Sequence, residues 1–172
     1  HEAQLVHRDL KPSNIMLEQQ HDGHWRPYVL DFGLARDLAS ATLTQEAVFF
    51  GTPSFVAPEQ ARGERVDHRA DIYSLGATLF FALTGRPPLE AVLGPDLLSQ
   101  ITAFDAGGLA KDLRAFPRDV ATVVLKCLES DPLRRYQTAL ELAEDIARLR
   151  AGEPVLARPV SLAYRLKKKA KR

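Results

Sequence analysis

The sequence predicts a mainly α-helical domain with one small β-hairpin near its N-terminal end. Apolar residues recur at helical spacings of three and four positions in the second half of the chain. Two short apolar runs in the first 30 positions lie on either side of Asp22-Gly23, a dipeptide typical of turns. The 172 residues are 45% hydrophobic and 26% charged, an ordinary composition for a soluble globular domain.

The first half contains the predicted hairpin and a long loop. The runs 14–17 and 25–30 are each apolar and short, so we expect two strands joined through the polar stretch between them. Residues 34–66 show no sustained period and are rich in Thr, Ser, Gly and Pro. A loop of that length in a compact domain is usually functional.

The second half is predicted to form four helices. Residues 71–84 are apolar on nearly all sides, which predicts a buried central helix that ends at Gly85. A short helix is expected over 96–104, and amphipathic helices over 118–129 and 138–150.

Charge and cysteine content exclude several classes of protein. The net charge of +1 combines two regions of opposite sign. Residues 165–172 form a basic tail with six positive charges, and residues 1–164 have 17 basic and 22 acidic residues, a net charge of −5. An acidic body is not suited to coating nucleic acid, so no nucleic-acid partner is expected. The tail is either a solvated run or a membrane-proximal flank. Nucleic-acid binding by the tail is the weaker alternative, because Tyr164 is the only aromatic residue beside its basic residues. The single cysteine, Cys127, lies on an apolar helical face and is expected in the core.

Three motifs carry the strongest functional signal. Residues 7–14 read HRDLKPSN, residues 31–33 read DFG and residues 57–59 read APE, the last preceded by GTP at 51–53. Each triplet alone is common, and an Asp and an Asn on one loop are more often turn residues than catalysts. The joint order and spacing make a chance match very improbable.

Together these motifs resemble those of a eukaryotic-type protein serine/threonine kinase, over about residues 1–150. Tyr136-Gln137-Thr138-Ala139, followed by an acidic helix, resembles bacterial members of this family. The resemblance implies the C-terminal lobe of the protein-kinase-like fold, α+β in the full domain, followed by a basic tail or juxtamembrane linker at 151–172. It also implies transfer of the γ-phosphoryl group of ATP to Ser or Thr hydroxyls of protein substrates. The implied cofactors are ATP and Mg²⁺, or Mn²⁺. The implied location is the cytoplasm, with the cytoplasmic portion of a membrane-anchored kinase as the alternative.

The resemblance assigns roles to individual residues of the first two motifs. Asp9 is the implied catalytic base, which accepts the substrate hydroxyl proton. Asn14 and Asp31 offer oxygen ligands to magnesium. Lys11, at a position typical of serine/threonine members, contacts the transferred phosphate, so Lys11, Asn14 and Asp31 together bind the cofactor. Met16 is placed under the adenine ring, with plain core packing as the alternative.

Other matched positions are implied to be structural. His7 packs against Phe32, Asp71 braces the catalytic loop through backbone amides, and Glu59 forms a buried ion pair with Arg135. The set is His7, Phe32, Gly33, Glu59, Asp71 and Arg135.

Regulatory and substrate-binding positions are implied on the long loop. Arg8 precedes the catalytic Asp9, and kinases with this arginine are often switched by a loop phosphate that the arginine can pair. The candidate phosphate acceptors are Thr44 first, then Thr42 and Ser40. Alternatively these are loop hydroxyls with no such role. Gly51 and Thr52 are the expected substrate platform.

Some parts of a complete kinase are missing from the sequence. No G-x-G-x-x-G occurs, and no strand lysine precedes His7, so an N-terminal lobe is expected upstream as a partner and the isolated fragment is expected to be inactive. The alternative function is a non-catalytic truncated lobe or pseudokinase that serves as a protein-binding scaffold. The intact Asp9, Asn14 and Asp31 favour the enzyme.

Overall fold

The computed structural model describes residues 5–31, 53–91 and 94–157. Within these ranges the protein is mainly helical with one two-stranded sheet, which confirms the predicted class. The strands and helices are β1 (Ile15–Gln19), β2 (Trp25–Val29), α1 (Pro58–Ala61), α2 (Arg69–Thr84), α3 (Leu97–Thr102), α4 (Arg118–Cys127) and α5 (Ala139–Arg150). Short 3₁₀ segments lie between them at Pro12–Asn14, Pro53–Phe55, Ala106–Ala115 and Pro132–Arg134.

The hairpin forms where the sequence predicts it. β1 and β2 are antiparallel, with Ile15 opposite Val29 and Gln19 opposite Trp25. The turn between them is closed by the Gln20 amide, which donates to the His24 carbonyl over 2.8 Å. Leu30 N–H then donates to the Asn14 carbonyl over 2.9 Å. The hairpin therefore holds the residues just before β1 and just after β2 next to each other.

Helix α2 is the centre of the fold, as its apolar sequence predicts. Its side chains contribute to two apolar clusters, through Tyr73 and Phe80 in one and Ile72 in the other. The helix ends at Gly85, whose φ of 76° is in the left-handed region and whose amide donates to the Phe81 carbonyl. Glycine adopts this φ without the strain that a side chain brings, so the predicted stop is confirmed.

Helices α2 and α4 cross in close contact at Gly76 and Cys127. A Cβ at position 76 would overlap the Cβ of Cys127, so only glycine allows this approach. Cys127 is fully buried, and burial raises the pKa of its thiol to about 12. The expectation of a core cysteine is confirmed, and a redox or nucleophilic role is disfavoured because the thiolate is the reactive form.

Helix α5 fixes the segment that follows it. Asp145 is fully buried and accepts the amides of Leu156 over 2.6 Å and Ala157 over 2.8 Å. It also accepts the Tyr136 hydroxyl over 2.9 Å, and Val155 is fully buried in the same cluster. The segment up to Ala157 is thus packed against the domain.

Two parts of the fold differ from the sequence prediction. Residues 34–66 were expected to be one long loop, but α1 and the 3₁₀ turn Pro53–Phe55 lie inside that range. The 3₁₀ segment Ala106–Ala115 was not expected, because Gly107-Gly108 interrupts the helical pattern.

Several predicted residues lie outside the described ranges: Phe32, Gly33, Ser40, Thr42, Thr44, Gly51, Thr52 and the tail from residue 158 onward. In the described part of the chain, no helix combines the length and apolar character that a membrane span requires.

Candidate active site

Three polar side chains converge on the loop just before β1. Lys11 Nζ lies 2.8 Å from Asp9 Oδ2, and Asn14 Nδ2 donates to the same oxygen over 3.1 Å. Asn14 Nδ2 also donates to the Asp9 carbonyl over 2.9 Å, because the 3₁₀ turn Pro12–Asn14 brings the chain back toward Asp9. The Asp9 side chain remains 42% exposed. Its carboxylate is therefore held in a fixed direction while it can still be reached from solvent.

The backbone of this loop is anchored by Asp71 on α2. Its Oδ2 accepts the His7 amide and its Oδ1 accepts the Arg8 amide, each over 2.8 Å. Burial raises the pKa of the Asp71 carboxyl, although the two backbone N–H groups oppose that shift. Asp71 on the buried central helix thus fixes the backbone of the loop, as the resemblance implies.

Two non-glycine residues of the site have left-handed backbone conformations. Arg8 has a φ of 65° and Asp31 a φ of 54°. A side-chain-bearing residue in this region costs about 1–3 kcal/mol, so surrounding contacts must maintain it. Arg8 directly precedes the carboxylate-bearing Asp9, and Asp31 carries a carboxylate itself.

His7 links the loop before β1 to the residue that follows β2. The Asp9 amide donates to His7 Nδ1 over 3.3 Å, and Nε2 lies 2.9 Å from the Leu30 carbonyl. One tautomer, with the proton on Nε2, makes both contacts, because Nδ1 then accepts and Nε2 donates. His7 is buried and so acts as a bridge from the loop to the residue before Asp31.

The predicted Glu59–Arg135 pair is present and buried. Arg135 donates to both carboxylate oxygens of Glu59, over 2.6 and 2.7 Å. Its remaining N–H groups donate to the carbonyls of Arg69, Glu129 and Ser130, so all five guanidinium donors have acceptors. This pair fixes α1 against the C-terminal half of the domain.

Gln60 is a site residue that the sequence analysis missed. It follows Glu59 on α1, is 2% exposed, and donates from Nε2 to the Arg8 carbonyl over 3.0 Å. The sequence offers only a weak signal for it, a glutamine at the third helical position after Ala57. Its partner lies 52 positions away.

The core-packing alternative for Met16 is wrong within the described structure. Met16 is 50% exposed on the hairpin, beside a cross-strand Tyr28 that is also partly exposed. The adenine-binding role of Met16 stays a prediction. Trp25, on the opposite strand of the hairpin, is 59% exposed.

The described residues provide part of a divalent metal site. Among them, no three His, Cys, Asp or Glu side chains form a cluster that could hold a metal ion on its own. The carboxamide nitrogen of Asn14, Nδ2, donates to Asp9, so its oxygen, Oδ1, makes no hydrogen bond to Asp9. An amide oxygen here and the exposed Asp31 carboxylate fit magnesium, which usually takes few protein ligands and completes its shell with phosphate oxygens and water.

The fold and this site are those of a known family: the chain belongs to the protein kinase domain family, whose sequence model matches residues 1–146. The chain is 39% identical over 155 residues to a protein named serine/threonine-protein kinase PknB from Mycobacterium leprae, covering 90% of this chain and 24% of the relative. It is 38% identical over 160 residues to a probable serine/threonine-protein kinase PknB from Bifidobacterium longum, covering 91% and 23%. A probable serine/threonine-protein kinase from Streptomyces coelicolor is 38% identical over 157 residues, covering 90% and 23%.

These relatives are bacterial, as the sequence analysis expected, and each is named a serine/threonine kinase. The chain spans about a quarter of the length of the curated relatives it matches.

Proposed function

We propose that this chain is the C-terminal, catalytic lobe of an ATP-dependent protein serine/threonine kinase, acting together with an N-terminal lobe. The observation that carries the proposal is the convergence of Lys11 and Asn14 on one oxygen of Asp9. Phosphoryl transfer through a loose transition state needs positioning and charge stabilisation more than covalent chemistry. The three side chains offer a proton acceptor, a cation and an amide on one short loop.

Asp9 is the proposed base that orients the Ser or Thr hydroxyl of a protein substrate and accepts its proton. Its carboxylate is directed by Lys11 and Asn14 and anchored through the loop by Asp71. Fixing the geometry before the reaction removes an entropic cost that a free carboxylate would bear. The partial exposure of Asp9 leaves space for a hydroxyl to approach.

Lys11 and Asn14 have proposed roles beyond the orientation of Asp9. Lys11 is 19% exposed and places an ammonium group where negative charge spreads onto the transferred phosphoryl group. Asn14 Oδ1 and the Asp31 carboxylate are the proposed protein ligands of magnesium. When bound, magnesium ATP supplies the phosphoryl group and positive charge that neutralises its oxygens.

The alternative, a non-catalytic scaffold, would not require the observed geometry of Asp9, Lys11 and Asn14. A protein that only binds a partner does not require Asp9 to be both held and accessible. The arrangement of Asp9 with Lys11 and Asn14 therefore favours the enzyme over a non-catalytic lobe.

The test uses the full-length protein that carries this lobe and measures transfer of labelled γ-phosphoryl groups to Ser/Thr peptides. Asp9→Asn should lower kcat by at least about a thousandfold because the base is lost. Asn14→Ala should raise the magnesium concentration needed for half-maximal rate. Asp22→Asn, a matched change in the exposed hairpin turn, should behave as wild type. Equal rates for Asp9→Asn and Asp22→Asn would refute the role of Asp9.

A further inference from the structure

Gln60 connects two parts of the chain that are distant in sequence and adjacent at the site. Its Oε1 accepts the Ala57 amide over 3.2 Å, which caps the start of α1. Its Nε2 donates to the Arg8 carbonyl over 3.0 Å. The side chain is almost fully buried. Breaking either hydrogen bond is therefore costly, because water cannot easily replace the lost partner. One amide group thus joins the APE segment to the catalytic loop.

The Arg8 carbonyl is a position from which the loop geometry can be controlled. A peptide group is planar, so the Arg8 carbonyl and the Asp9 N–H can only rotate together as one rigid unit. In a trans peptide group the N–H and the C=O point in opposite directions within the plane. The Asp9 amide donates to His7 Nδ1 over 3.3 Å. Gln60 and His7 therefore hold the two ends of the peptide group that leads into Asp9.

The contact between Gln60 and the Arg8 carbonyl matters because the backbone of Arg8 is strained. With a φ of 65°, Arg8 is in a region that a side-chain-bearing residue leaves readily if its contacts are lost. Asp71 holds the amide of Arg8 and Gln60 holds its carbonyl. Loss of either contact frees one of the two peptide groups that flank the strained residue.

We propose that Gln60 is a positioning residue for phosphoryl transfer, which holds the Arg8–Asp9 peptide in register with helix α1. The inference rests on the proposed function above, and it adds a residue that acts through Asp9 without contact to substrate. The amide is needed because it combines an acceptor for Ala57 with a donor for Arg8. Glutamate keeps the acceptor for the Ala57 amide, but its second carboxylate oxygen repels the Arg8 carbonyl. Leucine has a similar volume and provides neither the acceptor nor the donor.

The test compares Gln60→Glu and Gln60→Leu with wild type in the full-length protein. Initial rates at varied ATP and varied Ser/Thr peptide give kcat and both KM values, and thermal unfolding reports the folded fraction. Gln19→Glu is the control, since this exposed side chain lies at the far end of β1. We expect both Gln60 variants to lose at least about tenfold in kcat, with KM for ATP within about twofold, because misplacement of a reacting group lowers the rate of the chemical step.

Each other outcome decides against the proposal. Wild-type kcat in both variants, with wild type active, would overturn this inference alone. Parallel loss of kcat, ATP affinity and folded protein would make Gln60 a residue for stability only. A wild-type protein with no transfer activity would overturn the proposed function, and this inference with it.

Discussion

Arg135 and Glu59 face each other through two hydrogen bonds of 2.6 and 2.7 Å, in a region where both side chains are almost completely buried. They are 76 positions apart in the sequence. Arg135 also lies over the ring of Tyr73, with its guanidinium carbon 4.9 Å from the ring centroid. The pair joins α1, the central helix and the segment before α5 at one point.

The first prediction concerns this pair. Arg135→Met should destabilise the protein by about 3–5 kcal/mol, because Glu59 is left as an uncompensated buried charge. Arg135→Lys should recover little of that loss, since an ammonium group cannot make the planar two-bond contact with Glu59. Chemical denaturation measures both changes.

The neighbouring exposed Arg134 provides the control for the first prediction. Arg134→Lys should change stability by less than about 0.5 kcal/mol. If Arg135→Lys were as stable as Arg134→Lys, the geometry of the guanidinium would not matter to the fold.

The second prediction concerns the pH dependence of Asp71. Burial raises its pKa above the ordinary value of 3.8, so the folded state binds this proton more tightly than the unfolded chain does. The stability that this group contributes is therefore greatest below 3.8 and falls as the pH rises through the raised pKa. Asn does not titrate, so the stability of Asp71→Asn relative to wild type should increase from about pH 4 to about pH 7. Urea unfolding of both proteins at the two pH values measures this difference.

Asp71→Asn should also separate activity from stability. The asparagine offers one acceptor oxygen, and its NH₂ group faces one of the two amides that Asp71 now accepts. The loop should shift, and kcat should fall by about a hundredfold even where the variant is well folded. A relative stability that declines with pH, or full activity, would contradict the assigned roles of Asp71.

The third prediction concerns the crossing of α2 and α4. Gly76→Ala should destabilise the protein by about 1–3 kcal/mol, because the added methyl group overlaps the Cβ of Cys127. Gly108→Ala is the matched control, since a Cβ there has no neighbour within 4 Å. Thermal unfolding measures both variants. Equal melting temperatures would show that the two helices can separate at no cost.

The fourth prediction concerns the segment held by Asp145. Asp145→Ala removes the acceptor of the Leu156 and Ala157 amides and of the Tyr136 hydroxyl. We expect a loss of at least about 2 kcal/mol, because buried donors are left without partners. Hydrogen exchange should show loss of protection at Leu156 and Ala157.

Glu144, the exposed neighbour of Asp145 on α5, provides the control for the fourth prediction. Glu144→Ala should leave both amides as protected as in wild type. Retained protection in Asp145→Ala would mean that contacts other than those of Asp145 hold the segment.

The elements that the sequence predicts well are those with a local signal. Helix α2 has an apolar pattern and a glycine stop, and the hairpin has Asp22-Gly23 between two apolar runs. The three motifs locate the site: residues 7–14 lead into β1, Asp31 follows β2, and residues 57–59 lie at the start of α1, whose Gln60 contacts Arg8. The Glu59–Arg135 contact came from the resemblance, because a pair 76 positions apart leaves no local pattern.

The features that the sequence did not predict depend on contacts that only the fold brings about. Gln60 and Arg8 meet because α1 packs beside the catalytic loop, and Asp145 reaches Leu156 because the chain turns back after α5. The core-packing interpretation of Met16 failed because an apolar residue on a hairpin does not indicate which side is covered. The 3₁₀ segment Ala106–Ala115 has glycines that local propensity disfavours in a helix.

The measurement that tests the central claim most directly is the rate at which the full-length protein transfers the γ-phosphoryl group of ATP to serine and threonine. It is made with magnesium present, for wild type and for Asp9→Asn, with mass spectrometry to identify the modified residues. The account predicts phosphoserine or phosphothreonine with wild type and a rate lower by at least about a thousandfold with Asp9→Asn. No transfer by a folded wild-type protein, or equal transfer by the two proteins, would contradict it.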